Sequence, residues 1–329
     1  MSSMWKHRAS FLLVILFFAA LGVWARQQPQ VKTIGPGRFS KHDLGNSGDG
    51  ILKAILLPGS TAAISSSAND RTSIWNLADG KESKRFSGES FRFQDIALSS
   101  DARSALTPTP SAAVRYWDLA TGKNIRILAG AKVNISTVAL SENGALAAAA
   151  GQDTAIHVWA LADGTSVRIF PVDVAQIRIA FEFGSQRLVS VQADGQVCVR
   201  NTQNQGPPAC IAALPEPATT AVFSKDGRLV LIEGQYGTLV LWDVDRASLV
   251  RTLTGTTQNI SSLALSADGN LALSGGTDKT VRLWNLRTGQ QIAHTTGSGS
   301  YVSSVAFSSD GTLALFGCDD GKLTLWRLE

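Results

Sequence analysis

Tryptophan recurs along this chain at positions 75, 117, 159, 242, 284 and 326. The gaps are 42, 42, 83, 42 and 42 residues. The long gap is one period plus a second that is one residue short. It holds a degenerate copy, Val197-Cys198-Val199-Arg200-Asn201, with Arg200 at the tryptophan place. Seven copies at one period constrain the fold more than any other feature. Each copy is a supersecondary unit that cannot bury its apolar face alone, so the units must stack.

The copy from Ile260 to Thr295 shows what the unit is. Apolar residues alternate through Ser261–Ser266, a first strand. Asp268-Gly269 is a tight hairpin turn. Asn270–Gly275 is a second strand, and Thr280–Leu286, rich in β-branched and aromatic residues, is a third. Thr288-Gly289 turns the chain into a fourth, edge strand. Asn143-Gly144, Asp226-Gly227 and Asp310-Gly311 repeat the first turn; Asp79-Gly80, Thr121-Gly122 and Asp163-Gly164 repeat the third. Four short strands per period, set radially, predict an all-β fold: a seven-bladed β-propeller of four-stranded antiparallel blades. Hydrophobic residues at 44% supply its core.

Third strands close on Trp75-Asn76, Trp117-Asp118, Trp242-Asp243 and Trp284-Asn285. Asp153, Asp278 and Asp320 stand six residues before a tryptophan. By these motifs residues 51–329 resemble the WD-repeat family of β-propellers. The family's Gly-His pair is missing: Gly88-Glu89, Gly130-Ala131 and Gly255-Thr256 occupy its place. A histidine-centred network is therefore not expected, and blade closure rests on tryptophan and aliphatic packing.

The last copy stops at Glu329, after a third strand. Val31–Gly35 resembles Arg251–Gly255, a fourth strand, so it is expected to complete the last blade and close the ring. Ahead of it, Lys6, His7 and Arg8 precede an uncharged stretch, residues 11–25, that ends in Val23-Trp24-Ala25. A basic start, an apolar middle and a small exit residue read as a signal peptide. Counted from Ala9 the stretch reaches 17 residues, so an uncleaved anchor is the alternative. No cysteine adjoins the cleavage site, which excludes a lipoprotein. The expected organisation is a signal peptide or N-terminal membrane anchor at 1–25 and a propeller at 26–329. Residues 26–50 then form the clasp strand and the loop into the first blade. The propeller lies outside the cytoplasm, periplasmic, secreted or anchored, and meets a membrane only through residues 9–25 if these are retained.

Charge and motifs narrow the function. Thirty basic and 26 acidic residues give a net charge of +4 with no run of five basic residues, so no nucleic acid is expected. Three cysteines make neither a disulfide scaffold nor a four-thiolate zinc site. There is no G-x-S-x-G elbow, P-loop, H-E-x-x-H or C-x-x-C-H. His157 reads as a satisfied sheet residue and Asp319-Asp320 as a solvated turn. No catalytic, metal or cofactor residue is assigned.

The expected function is an exported, non-enzymatic scaffold that binds another protein or peptide. The rival is an envelope enzyme or small-ligand binder with its site at the channel mouth, which three or more His, Asp, Glu or Arg side chains converging in the channel would favour. The resemblance implies that partners meet the rim carrying the loops between blades and those between second and third strands. Its candidates are Phe91, Arg92, Phe93, Gln152, Gln192, Gln235, Tyr236, Tyr301 and Asp319. Asn134 and Asn259 begin glycosylation sequons and read as loop residues. Aligning Leu214 with Leu253 sets Cys198 and Cys210 about four positions out of register. That argues against a bridge, which a shorter hairpin loop would restore. Blade 4 (174–214) is expected to be the least regular, a weak point or a contact surface: Pro207-Pro208 and Pro215-Glu216-Pro217 bracket its fourth strand. Arg200 must there find an acid or reach solvent.

Overall fold

The computed structural model describes residues 39–69, 71–86, 95–132, 134–152, 155–184, 186–204, 206–214, 217–234, 237–253 and 260–328. The segments expected to be a leader or anchor and a clasp, 1–25 and Val31–Gly35, lie outside them. The described strands form seven sheets of four antiparallel strands. In blades 1 to 6 the strands neighbour one another in chain order. Second and third strands lie between blades and are buried almost throughout, as in Leu146–Gly151 and Ala155–Ala160. Fourth strands face out, as in Lys123–Leu128. Each core cluster crosses a seam: Leu231, Leu239 and Leu253 of blade 5 pack with Ile260, Ala272 and Trp284 of blade 6. That is how a unit too thin to own a core obtains one.

The seventh sheet takes three strands from the chain's end, Val302–Phe307, Leu313–Cys318 and Lys322–Leu328, and its outer strand from Phe39–Asn46. The clasp is thus real but sits later than the expected Val31–Gly35. Lys41 lies opposite Trp326, and a bulge between Asp43 and Gly45 shifts the register. Leu44 is buried with Ile51, Trp75, Leu323 and Leu325. Thr324 Oγ1 donates to Asp43 Oδ1 at 3.0 Å, and the Ser47 amide to the Gly321 carbonyl at 3.0 Å. An outer strand needs only one buried anchor, so Phe39–Asn46 reads as a polar loop.

Several first turns are cemented alike. Ser308 Oγ donates to Asp310 Oδ1 at 2.6 Å and accepts the Leu313 amide at 2.9 Å, while Asp310 Oδ1 also accepts the Thr312 amide at 3.0 Å. Ser266, Asp268 and Leu271 repeat this, as do Ser224, Asp226 and Leu229. Gly269 and Gly311 complete their turns at φ 68° and 71°, where a Cβ would be strained. The Ser308 hydroxyl, then the Thr312 amide, hold the Asp310 carboxyl below the usual carboxylate range. An acid whose folded value is depressed contributes stability above its unfolded value, about 4, that is lost as pH falls through the lower folded one. Urea midpoints of Asp310→Asn and wild type should therefore differ at pH 6 and converge towards pH 2.

Blade 4 departs from expectation twice. In blades 1, 2 and 6 the indole N–H bonds a hydroxyl ten residues earlier: Trp75 to Ser65, Trp117 to Thr107 and Trp284 to Ser274, at 2.8, 2.8 and 2.9 Å. Arg200 makes the same bond, Nη1 to Ser190 Oγ at 2.8 Å, and is buried. Among the described residues it pairs with no acid, and it does not reach solvent. The guanidinium replaces the indole N–H, and burial lowers its pKa. Arg200→Trp is expected to stabilise the protein by about 1–3 kcal/mol, by removing a desolvated charge from a site shaped for an indole. Urea unfolding measures it.

Second, Cys198 and Cys210 are disulfide-bonded, directly opposite each other with Cα atoms 4.1 Å apart. The expected offset fails because Ile211, not Leu214, lies opposite Val197, the place that Leu253 takes opposite Leu239 in blade 5. Cys318 is free and buried. Denatured, unreduced protein should show one thiol. Cys210→Ser should cost about 3 kcal/mol in urea unfolding, since the bond closes a short loop.

Candidate interaction rim and channel mouth

In four blades the first strand begins with two hydroxyl residues: Ser136-Thr137, Thr219-Thr220, Ser261-Ser262 and Ser303-Ser304. The first hydroxyl donates to a carbonyl of the next blade: Ser136 to Gln176 at 3.3 Å, Ser261 to Val302, Ser303 to Ile51. The second accepts an amide from the next blade. Thr137 takes Ile179 at 3.3 Å, Ser262 takes Val305 at 3.1 Å and Ser304 takes Ala54 at 2.9 Å. Blade 5 uses Glu233 instead, which accepts the Ile260 amide at 2.6 Å and the Thr219 hydroxyl. Burial pushes the Glu233 carboxyl up, against those two bonds.

At the second hydroxyl's place, blades 1, 2 and 4 carry Lys53, Asp95 and Arg178. Asp95 keeps the acceptor role: its Oδ2 takes the Val138 amide at 3.0 Å. Its Oδ1 takes Arg178 Nη1 at 2.5 Å, with the Asp95 side chain 2% and the Arg178 side chain 25% exposed. Lys53 is enclosed beside them. Burial, then the Arg178 charge, lower its pKa, and Asp95 opposes them. These groups line a cavity of about 160 Å³ together with residues of blades 3, 5 and 6, among them Ser136, Thr220 and Ser262. First strands enter the blades here, so this is the end of the channel at the rim of the inter-blade loops.

A second hollow, about 350 Å³, shares Ser136 with that cavity. Pro108, the last residue of the second strand of blade 2, and Thr109 and Pro110 just after it form one wall; Asn134, Ile135 and Gln152 of blade 3 form the other. The Gln152 amide donates to the Asn134 carbonyl at 3.1 Å, fixing the second wall.

Of the rim residues expected from sequence, Gln152 is exposed and lines this groove. Tyr301 and Asp319 are exposed together in blade 7, where the Asp319 amide donates to the Tyr301 carbonyl at 2.9 Å. Gln192 is a correction: it is buried, and its side-chain amide donates to Cys198 Sγ at 3.3 Å, because the end of its strand turns it into blade 4. Phe91, Arg92, Phe93, Gln235 and Tyr236 lie outside the described residues. His157 is buried, its ring stacked on Trp159 at 5.5 Å. Among the described residues no group of three or more His, Cys, Asp or Glu is placed to hold a metal ion. Lys53, Asp95 and Arg178 were missed, since each is one ordinary charge in its own strand. The signal was the 42-residue spacing, which aligns them with Ser262 and Ser304.

The fold and its hydroxyl-seamed mouth define a seven-bladed propeller. The family model for the WD domain, G-beta repeat, matches residues 122–160, 247–285 and 289–327. Each match starts at the fourth strand of one blade and ends with the third strand of the next, the offset by which the clasp closes the ring. No curated protein matches the chain. The fold is similar to the WD40 repeats of RRP9, with a TM-score of 0.78 and 16% identity over 88% of this chain and 97% of that one. It is similar also to U3-55K, with a TM-score of 0.78 and 16% identity over 88% of this chain and 98% of that one. WD40 propellers typically serve as protein-interaction scaffolds and are usually not enzymes.

Proposed function

We propose that this protein is an exported, non-enzymatic WD-repeat scaffold that holds an extended segment of another protein across the rim between blades 2 and 3. The groove carries this reading. Its proline walls offer rigid apolar contact, while the side-chain amides of Asn134 and Gln152 offer paired donors and acceptors to a peptide backbone. The non-enzymatic part is supported by how the mouth's polar groups are used: several hydroxyls, Asp95 and Glu233 are engaged in joining blades. Export is supported by the basic-then-apolar start and by the Cys198–Cys210 bond, which suits an oxidising compartment.

Thr109→Trp fills the groove. It should abolish capture of partners from envelope extracts, whereas Tyr301→Ala, on blade 7, should retain it. Equal capture by both would refute the groove. A reporter fused after residue 30 should be active only outside the cytoplasm, and N-terminal sequencing distinguishes a start near Arg26 from an intact anchor.

A further inference from the structure

We propose that the channel mouth binds a small tetrahedral oxyanion, of the phosphate type, between Lys53 and Arg178. One position per blade builds the site. At that position Thr137, Ser262 and Ser304 are hydroxyls that accept an amide from the neighbouring blade. A cation cannot accept a hydrogen bond, so Lys53 and Arg178 break this seam without serving it. Arg178 instead joins blade 4 to Asp95 of blade 2, and no such role explains Lys53.

The charge balance points to an anion. Among the described residues Asp95 is the one carboxylate in the cavity lining, and it is occupied twice, by the Val138 amide and by Arg178 Nη1. Two cations against one anion leave a formal excess of +1 in an enclosed, polar cavity. Such an excess is costly until a counter-charge enters. Burial first, and then the Arg178 charge, lower the pKa of Lys53.

The remaining donors suit the ligand. Ser262 uses its oxygen to accept the Val305 amide, so its hydroxyl proton is left to donate inward. Arg178 keeps further N–H groups beyond the one on Asp95. With the Lys53 ammonium and the Thr220 hydroxyl, donors come from blades 1, 4, 5 and 6 around one cavity. Donors converging from four sides match a tetrahedral oxyanion better than a planar carboxylate. At about 160 Å³ the cavity holds such an ion with water, not an extended chain. This site is independent of the groove reading.

The test is calorimetric titration of the full chain with inorganic phosphate at fixed ionic strength. Saturable one-to-one binding is expected. Lys53→Met should weaken it about tenfold or more, the effect of losing one charge-assisted hydrogen bond. Lys53→Arg should retain it, and Thr109→Trp in the groove should leave it unchanged. Circular dichroism confirms that each variant is folded. No saturable binding by wild type, or equal binding by folded Lys53→Met, would overturn the proposal. A loss of partner capture in Thr109→Trp with phosphate binding intact separates the two sites.

Discussion

A chain that starts at Ser47, and so lacks Phe39–Asn46, is expected to lose cooperative unfolding or to melt far below the full-length protein. Without that strand Lys322–Leu328 becomes a bare edge, with unpaired backbone groups along most of its length. Leu44 leaves the cluster it shares with Ile51, Trp75 and Leu325, and that alone costs about 2–5 kcal/mol. The total is a large share of the 5–15 kcal/mol typical of whole proteins. The loss also opens the ring, because blade 7 is the only sheet built from both ends of the described chain. A synthetic peptide of residues 39–47 added in trans should restore part of the melting temperature, and Leu44→Asp in that peptide should prevent it. A truncated chain that melts with the wild type would show that the clasp does not close the ring.

Asp95→Ala should destabilise the protein by about 3–5 kcal/mol, the usual cost of removing one partner of a buried pair. The substitution leaves the Val138 amide without its acceptor and places Arg178 and Lys53 together with no counter-charge. Asp95→Asn keeps an oxygen for Val138 and loses only the charge, so its cost should be smaller. Adding Lys53→Met to Asp95→Ala should recover part of the loss, by removing one of the two opposed cations. Urea unfolding of wild type, Asp95→Ala, Lys53→Met and the double variant forms the cycle, with Asp95→Asn measured beside it. If Asp95→Ala costs less than about 1 kcal/mol, the carboxylate does not hold blades 2, 3 and 4 together as its bonds imply.

Much of the architecture was legible because its causes are local. A strand declares itself by alternation over six residues, and a hairpin by an Asp-Gly or Thr-Gly pair; repetition at 42 residues then multiplies a weak signal seven times. The Asp-Gly turns and the order of strands in a blade follow from contacts within one unit, and the number of blades from the number of repeats. Gln152 was legible for the same reason, since a residue after a second strand must lie at the rim.

Three things depended on the ring. The clasp was Phe39–Asn46 and not Val31–Gly35, because an outer strand is chosen by the edge it meets and its own residues carry little pattern. Cys198 met Cys210 because Ile211, not Leu214, pairs with Val197, and register is a property of the pair of strands, not of either one. Lys53, Asp95 and Arg178 came together although 42 and 83 residues separate neighbours in that series, since the closed ring sets equal repeat positions around one axis. The sequence by itself determined what each unit is and how many there are. Only the tertiary structure decided which charges face one another, because that depends on the closing of all seven units and not on the chemistry of any one.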